Sequence, residues 1–172
     1  YKLDPSEFAN KTDSIRDFRI SQLETWNKRN QFSDEFYELA KTTINYEYYH
    51  LRERYAFLIR KYSRESLNKI PADFHDYRSE ILFNDEQLED YYVLRNLYDN
   101  YLWSRSFEYC EENNIHSDNC YDLTDYDNIK RQIVLADSLI ENPRVKNNFL
   151  DRLSAQGIIY SNSIEELVEI LQ

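Results

Sequence analysis

One glycine, Gly157, stands among 172 residues. Glycine is the residue that turns φ positive without strain and lets backbone approach a ligand closely. The chain therefore has no GxGxxG, no GxxxxGK[ST] and no GxSxG, and the phosphate-cradling and nucleophile-elbow chemistries that need them are excluded. Only three prolines break the remaining run, so long helices go unpunctuated. Apolar residues alternate nowhere for long, which removes the strand signal. The expectation is an all-α fold: a single irregular bundle of six or seven helices, mostly antiparallel neighbours, spanning 1–172 as one domain.

The apolar material is unusually aromatic, with 16 Tyr, 9 Phe and 2 Trp. Tyrosine buries a large ring but needs its hydroxyl wet or partnered, which suits packing between helices. Mean hydropathy is low at −0.82, yet disordered chains are aromatic-poor, so the periodic aromatics argue for a folded domain. Net charge is −11. Nucleic-acid binding needs clustered Lys and Arg, and anionic membrane surfaces repel such a chain. No apolar run approaches the roughly 20 residues of a membrane span. Neither a nucleic-acid partner nor direct membrane insertion is expected. The chain starts at Tyr1 and has no methionine, so it reads as a domain excised from a longer protein.

Helix signals follow in order. Asp4-Pro5 with Glu7 is a helix start. Phe8, Ile15, Leu23 and Trp26 then share a face up to basic residues near 27–31. Ser33 caps a second helix, in which Phe36, Ala40, Ile44, Tyr48, Leu51, Tyr55, Leu58 and Tyr62 recur every three or four positions. A short polar loop makes these two helices antiparallel neighbours. Residues 63–84 are ambiguous around Pro71, with one short helix. A long helix is expected over 85–112, with Leu88, Tyr91, Leu94, Tyr98, Tyr101 and Leu102 inward. A polar loop follows, then a helix from Thr124 to Ile140. Another opens at Pro143, and a last one is capped by Ser163 with Glu166, holding Ile164, Leu167, Val168 and Leu171.

Chemistry-bearing residues are few. Glu47 and His50 have a Glu-x-x-His spacing, which di-iron bundles use twice. Neither His75 nor His116 has the matching glutamate, so the pair reads as an ordinary helix-surface pair, and no metal or other cofactor is expected. No local motif marks a serine nucleophile. Cys110 precedes Glu111 and Glu112, whose charge raises a thiol pKa. Cys110 and Cys120 form no CxxC. They read equally as one disulfide in an oxidising compartment or as two free thiols. The stretches 44–55 and 88–103 carry aromatics on more than one helix face. The core is the favoured place for them; an interface through Tyr48, Tyr49, Tyr91, Tyr92 and Trp103 is the sharper alternative.

Two segments carry a family likeness. FSDEFYELAKTTINYEYYHLRERY (32–55) leads a charged, capped half-helix into a tyrosine-rich half. NPRVKNNFLDRLSAQGIIYSNSIEELVEIL (142–171) holds the last two helices. In these the chain resembles the helical region that precedes the thioredoxin-like domain of TlpA/ResA-like thiol-disulfide oxidoreductases of Bacteroidetes-type bacteria. The resemblance covers most of the chain. It implies a parent exported to the periplasm or anchored to the outer membrane, often as a lipoprotein, with its redox CxxC in a following domain. Cys110 and Cys120 do not match that CxxC, so the resemblance implies a non-catalytic scaffold or interaction domain. Its partner would be the adjacent thioredoxin-like domain or a protein substrate. A free-standing protein with a tyrosine-lined groove for a peptide or glycan is the alternative. A metal-dependent or hydrolytic enzyme built on His50 and Glu47 is the third.

Overall fold

A computed structural model describes residues 2–84 and 88–170. Among these the chain forms α1 (Pro5–Asn30), α2 (Asp34–Tyr62), α3 (Tyr92–Glu112), α4 (Tyr126–Leu139), α5 (Pro143–Tyr160) and α6 (Ile164–Ile170). Short 3₁₀ turns occupy Arg64–Lys69, Asp76–Glu80 and Asp118–Tyr121. The described residues contain no strand. The fold is an all-α multi-helix bundle. It divides into two compact units, Tyr1–Asn100 and Tyr101–Gln172, and the division falls within α3.

Caps set the helix limits. Asp4 accepts from the Ser6 N–H at 3.1 Å, with Pro5 at the first helical position. Ser33 accepts from the Phe36 N–H at 3.3 Å and starts α2. With no glycine to end α1, Gln31 itself takes the left-handed conformation, φ 50°, and its N–H reaches the Asn27 carbonyl at 2.8 Å. Asn114 does the same after α3, at φ 54°. α4 starts two residues after the expected Thr124, because Asp125 is the cap whose side chain accepts from the Asn128 N–H at 3.2 Å. α3 is shorter than the expected 85–112. Residues 85–87 lie outside the described residues, and Leu88 is buried in a turn whose carbonyl accepts from the Tyr91 N–H at 2.8 Å.

In the first unit, α1 and α2 pack as neighbours and the segment 63–84 lies on α2. Phe8 stacks on Tyr55 at 3.9 Å, over a core that includes Ala9, Ala56, Ile59 and Phe74. The irregular segment is pinned by polar side chains at successive turns of α2. The Tyr46 hydroxyl donates to the Leu82 carbonyl at 2.6 Å and accepts from the Leu82 N–H at 3.1 Å. The Tyr49 hydroxyl donates to Glu80 at 2.8 Å. Glu53, with no exposed surface, receives a two-pronged guanidinium from Arg78 at 2.7 and 2.8 Å. Arg52 reaches both neighbours: it donates to Asp13 at 2.6 Å and to the Ala9 carbonyl at 3.3 Å on α1, and to the Phe74 carbonyl at 3.4 Å in the segment.

In the second unit α4 packs on α5, and α5 on α6. Phe107, Ile129, Ala136, Ile140, Phe149 and Leu153 are buried. Fully buried Asn128 donates to the Cys120 carbonyl at 3.0 Å and accepts from Gln132 at 3.1 Å. Gly157 faces Ile170: a Cβ there would stand 2.7 Å from the Ile170 Cδ1.

Removing one member of a buried ion pair strands the other charge, which costs about 3–5 kcal/mol. Arg78→Ala should therefore lower urea stability by about 3 kcal/mol, and adding Glu53→Leu should restore part of that loss. A single variant as stable as the parent would remove this pair from the account of the fold.

Candidate functional site

The aromatic residues of α1 and α2 separate into an inner and an outer set. Tyr48 and Tyr49 belong to the inner set, 8% and 3% exposed. They lie in the core, the place favoured for them, and not at the alternative interface. Arg52 lies over the Tyr48 ring at 5.0 Å and over Phe74 at 4.6 Å, and Arg16 covers Tyr48 at 4.4 Å. The Tyr48 hydroxyl donates to Asp13 at 2.6 Å. Burial, and then that carboxylate, push its pKa up to about 12. Tyr49 is raised by burial and by Glu80. Tyr55, whose hydroxyl donates to the Leu3 carbonyl at 2.7 Å, is pushed up to about 12 by burial and by Asp4.

The outer set makes a groove. Phe18, Trp26 and Phe36 are 64%, 52% and 50% exposed. With Phe32, Leu39 and Tyr91 they line an open, almost wholly apolar cleft of about 580 Å³ on the loop end of the α1–α2 hairpin. Tyr91 was expected to face inward and instead stands 42% exposed at the groove. Tyr92 is exposed beside it in sequence, its hydroxyl on Glu47 at 2.8 Å, and that carboxylate raises its pKa. Trp103 belongs to the second unit and is partly buried. Trp26, Phe36 and Ile44 read in sequence as core because they keep helical spacing. Phe18, Phe32 and Leu39 were not singled out. The usable signal was the crowding of Trp26, Phe32 and Phe36 around a loop, where chain reaches the surface.

Glu47 and His50 do not converge on a common centre. Glu47 holds Arg19 and the Tyr92 hydroxyl. His50 Nδ1 sits 3.0 Å from the Asn100 amide, and burial lowers its pKa, with Arg54 adding to the effect. Among the described residues no group of three or more His, Cys, Asp or Glu side chains is placed to hold a metal. No described helix is long and apolar enough to cross a membrane.

Cys110 and Cys120 are joined in a disulfide, Cα atoms 6.1 Å apart, with both residues buried. The bond ties the end of α3 to the Asp118–Tyr121 turn. Arg131 aims Nη2 at both sulfurs, 3.6 Å from Cys120 and 3.9 Å from Cys110. Compared with protein-family models, with curated proteins and with solved structures, the chain finds no match in any of the three.

Two outcomes follow from this geometry. A phenol whose pKa is raised on folding keeps its proton when the unfolded chain has lost it, so its contribution is complete below the unfolded value near 10 and fades above it. Stability should fall as pH rises from about 10 towards 12. Absorbance at 295 nm should show Tyr48 and Tyr55 titrating near 12. Ionisation of all tyrosines near pH 10 without loss of structure would contradict the network. Separately, a closed loop of this length stabilises by about 2–3 kcal/mol. Cys110→Ser with Cys120→Ser should lower the urea midpoint accordingly, and dithiothreitol should do the same to the parent but not to the variant.

Proposed function

We propose that this chain is a non-catalytic helical interaction module that receives a basic amphipathic helix of a partner protein in the aromatic groove of α1 and α2. The observation that carries the reading is the clustering of exposed Phe18, Trp26 and Phe36 along one apolar cleft. Isolated exposed apolar residues are ordinary, whereas contiguous aromatic ones mark a contact surface. The seam between two antiparallel helices accepts the apolar face of a third. A net charge of −11 favours basic residues on the rest of that third helix.

The setting rests on the resemblance to TlpA/ResA-like proteins, supported by the disulfide, since such bonds persist in oxidising compartments. On that reading the module is part of an exported thiol-disulfide oxidoreductase, periplasmic or anchored to the outer membrane. A CxxC domain outside these 172 residues does the redox chemistry. The partner helix belongs to a protein substrate, which the groove holds while the thioredoxin-like domain acts. A tyrosine-lined groove for a peptide or glycan has less support: Tyr91 lines the cleft, but the rings of Tyr48 and Tyr49 are interior. No observation favours an enzyme built on His50 and Glu47, which are engaged with separate partners.

Trp103→Phe leaves Trp26 as the one indole of the two in the chain. In that background an 18-residue Leu/Lys amphipathic peptide should shift Trp26 emission to the blue, and a Leu/Glu peptide of the same pattern should not. Phe18→Asp with Phe36→Asp should weaken the Leu/Lys peptide by about tenfold or more. Binding that ignores this double variant would be general attraction to an acidic protein, and would overturn the groove as the docking site.

A further inference from the structure

The second unit holds a different kind of cleft, about 510 Å³, between α3 and α4. Its apolar wall is Tyr109, Ile115, Val134 and Leu135, and its cations are Arg105, Lys130 and Arg131. We propose that this cleft binds an apolar carboxylate, either a small organic acid or the free C-terminus of an apolar peptide, with Arg131 as its anchor. The proposal stands apart from the groove on the first unit.

Arg131 is the decisive residue. Its guanidinium lies 5.2 Å from the centre of the Tyr109 ring, and among the described residues its Nη2 meets only the disulfide sulfurs. Its Nε is buried without a hydrogen-bond partner. Among the described residues no carboxylate forms an ion pair with it. Disulfide sulfur and a ring face are weak acceptors for five N–H donors, so most of the fork is unused. The neighbouring cations differ. Arg105 is held by Glu108, and by Glu112 at 3.4 Å. Lys130 is held by Glu169.

The electrostatics are consistent with an anion that must compete for its place. Burial lowers the pKa of Arg131, while Asp125 and Asp127 raise it at longer range; a guanidinium stays protonated at neutral pH throughout. Glu112 and Asp127 also line the cleft. With Arg105 and Lys130 already paired to carboxylates, Arg131 is the cleft's cation without an ion pair among the described residues, in a chain of net −11. A carboxylate matches the guanidinium fork two bonds to two. The apolar wall, with Tyr109 and Val134 44% and 62% exposed, rewards a hydrocarbon body and offers nothing to a hydrated inorganic anion. The volume lies within the range of small-molecule pockets.

The test is an amide-resolved NMR titration of the whole 172-residue chain with 3-phenylpropionate, run beside 3-phenylpropanamide and inorganic phosphate at constant ionic strength. The carboxylate should move signals in 105–115 and 130–135 and saturate with Kd of about 1 mM. The amide and phosphate should bind about tenfold more weakly or less. Arg131→Gln should lower carboxylate affinity by a similar factor. Val134→Asp, a surface change that charges the apolar lip, should do the same and decides the matter if the first variant unfolds. An N-acetylated Leu-Leu-Phe peptide with a free C-terminus separates the two sources. Tighter binding than phenylpropionate assigns the site to a peptide terminus, and weaker binding assigns it to a small acid. No saturable shift in these segments, equal binding of the amide, or unchanged affinity in the folded variants overturns the proposal.

Discussion

Two adjacent charges on α2 hold the first unit together. Successive residues on a helix point about 100° apart, so Arg52 and Glu53 reach in different directions. Arg52 takes α1 through Asp13 and the Ala9 carbonyl, and also reaches the Phe74 carbonyl at 3.4 Å. Glu53 takes the segment 63–84 through Arg78. Buried charges add little net stability compared with well-packed apolar groups, but a mismatched partner leaves a charge stranded. The pair therefore selects one placement of that segment on α2. The tyrosines at 46 and 49 act in the same sense, each closing a hydroxyl on one acceptor of the segment. This accounts for how 22 residues with little regular structure lie in order on a long helix.

The exposed groove has a related origin. Polar clips engage α2 from Tyr46 onward, which leaves the loop end of the hairpin without a cover from the described parts of this unit. The apolar side chains there keep helical spacing and yet meet solvent. A hairpin covered at one end and open at the other offers a prepared seam. A helix bound there as proposed would add contacts without first removing any.

The helices were largely legible in the sequence, because caps and spacing are local. Asp4-Pro5, Ser33, Pro143 and Ser163 each start an element where their chemistry requires. The sorting of aromatics was not legible. Phe36 and Tyr48 belong to one series of three- and four-residue spacings; the series does not say that something covers Tyr48 and nothing covers Phe36. Tyr91 failed for the same reason, since the helix that would have turned it inward begins only at Tyr92. The charges at 52 and 53 were invisible for the opposite reason. Arg and Glu in a polar helix read as solvated, and their burial depends on Asp13 and Arg78, far away in the chain. Arg131 was missed likewise, as its setting is made by a disulfide that spacing left open.

The scarcity of glycine acts on the unfolded chain as well as on the folded one. Holding Gln31 and Asn114 at positive φ costs about 1–2 kcal/mol each relative to ordinary backbone. A chain with side chains at nearly every position also has fewer unfolded conformations to surrender. Each glycine avoided in a helix interior is worth about 0.5–1 kcal/mol relative to alanine. Two strained turns are a small penalty beside that gain spread over long helices. Part of the free energy that favours the long helices α1 and α2 thus lies in the unfolded chain, which has less freedom to lose.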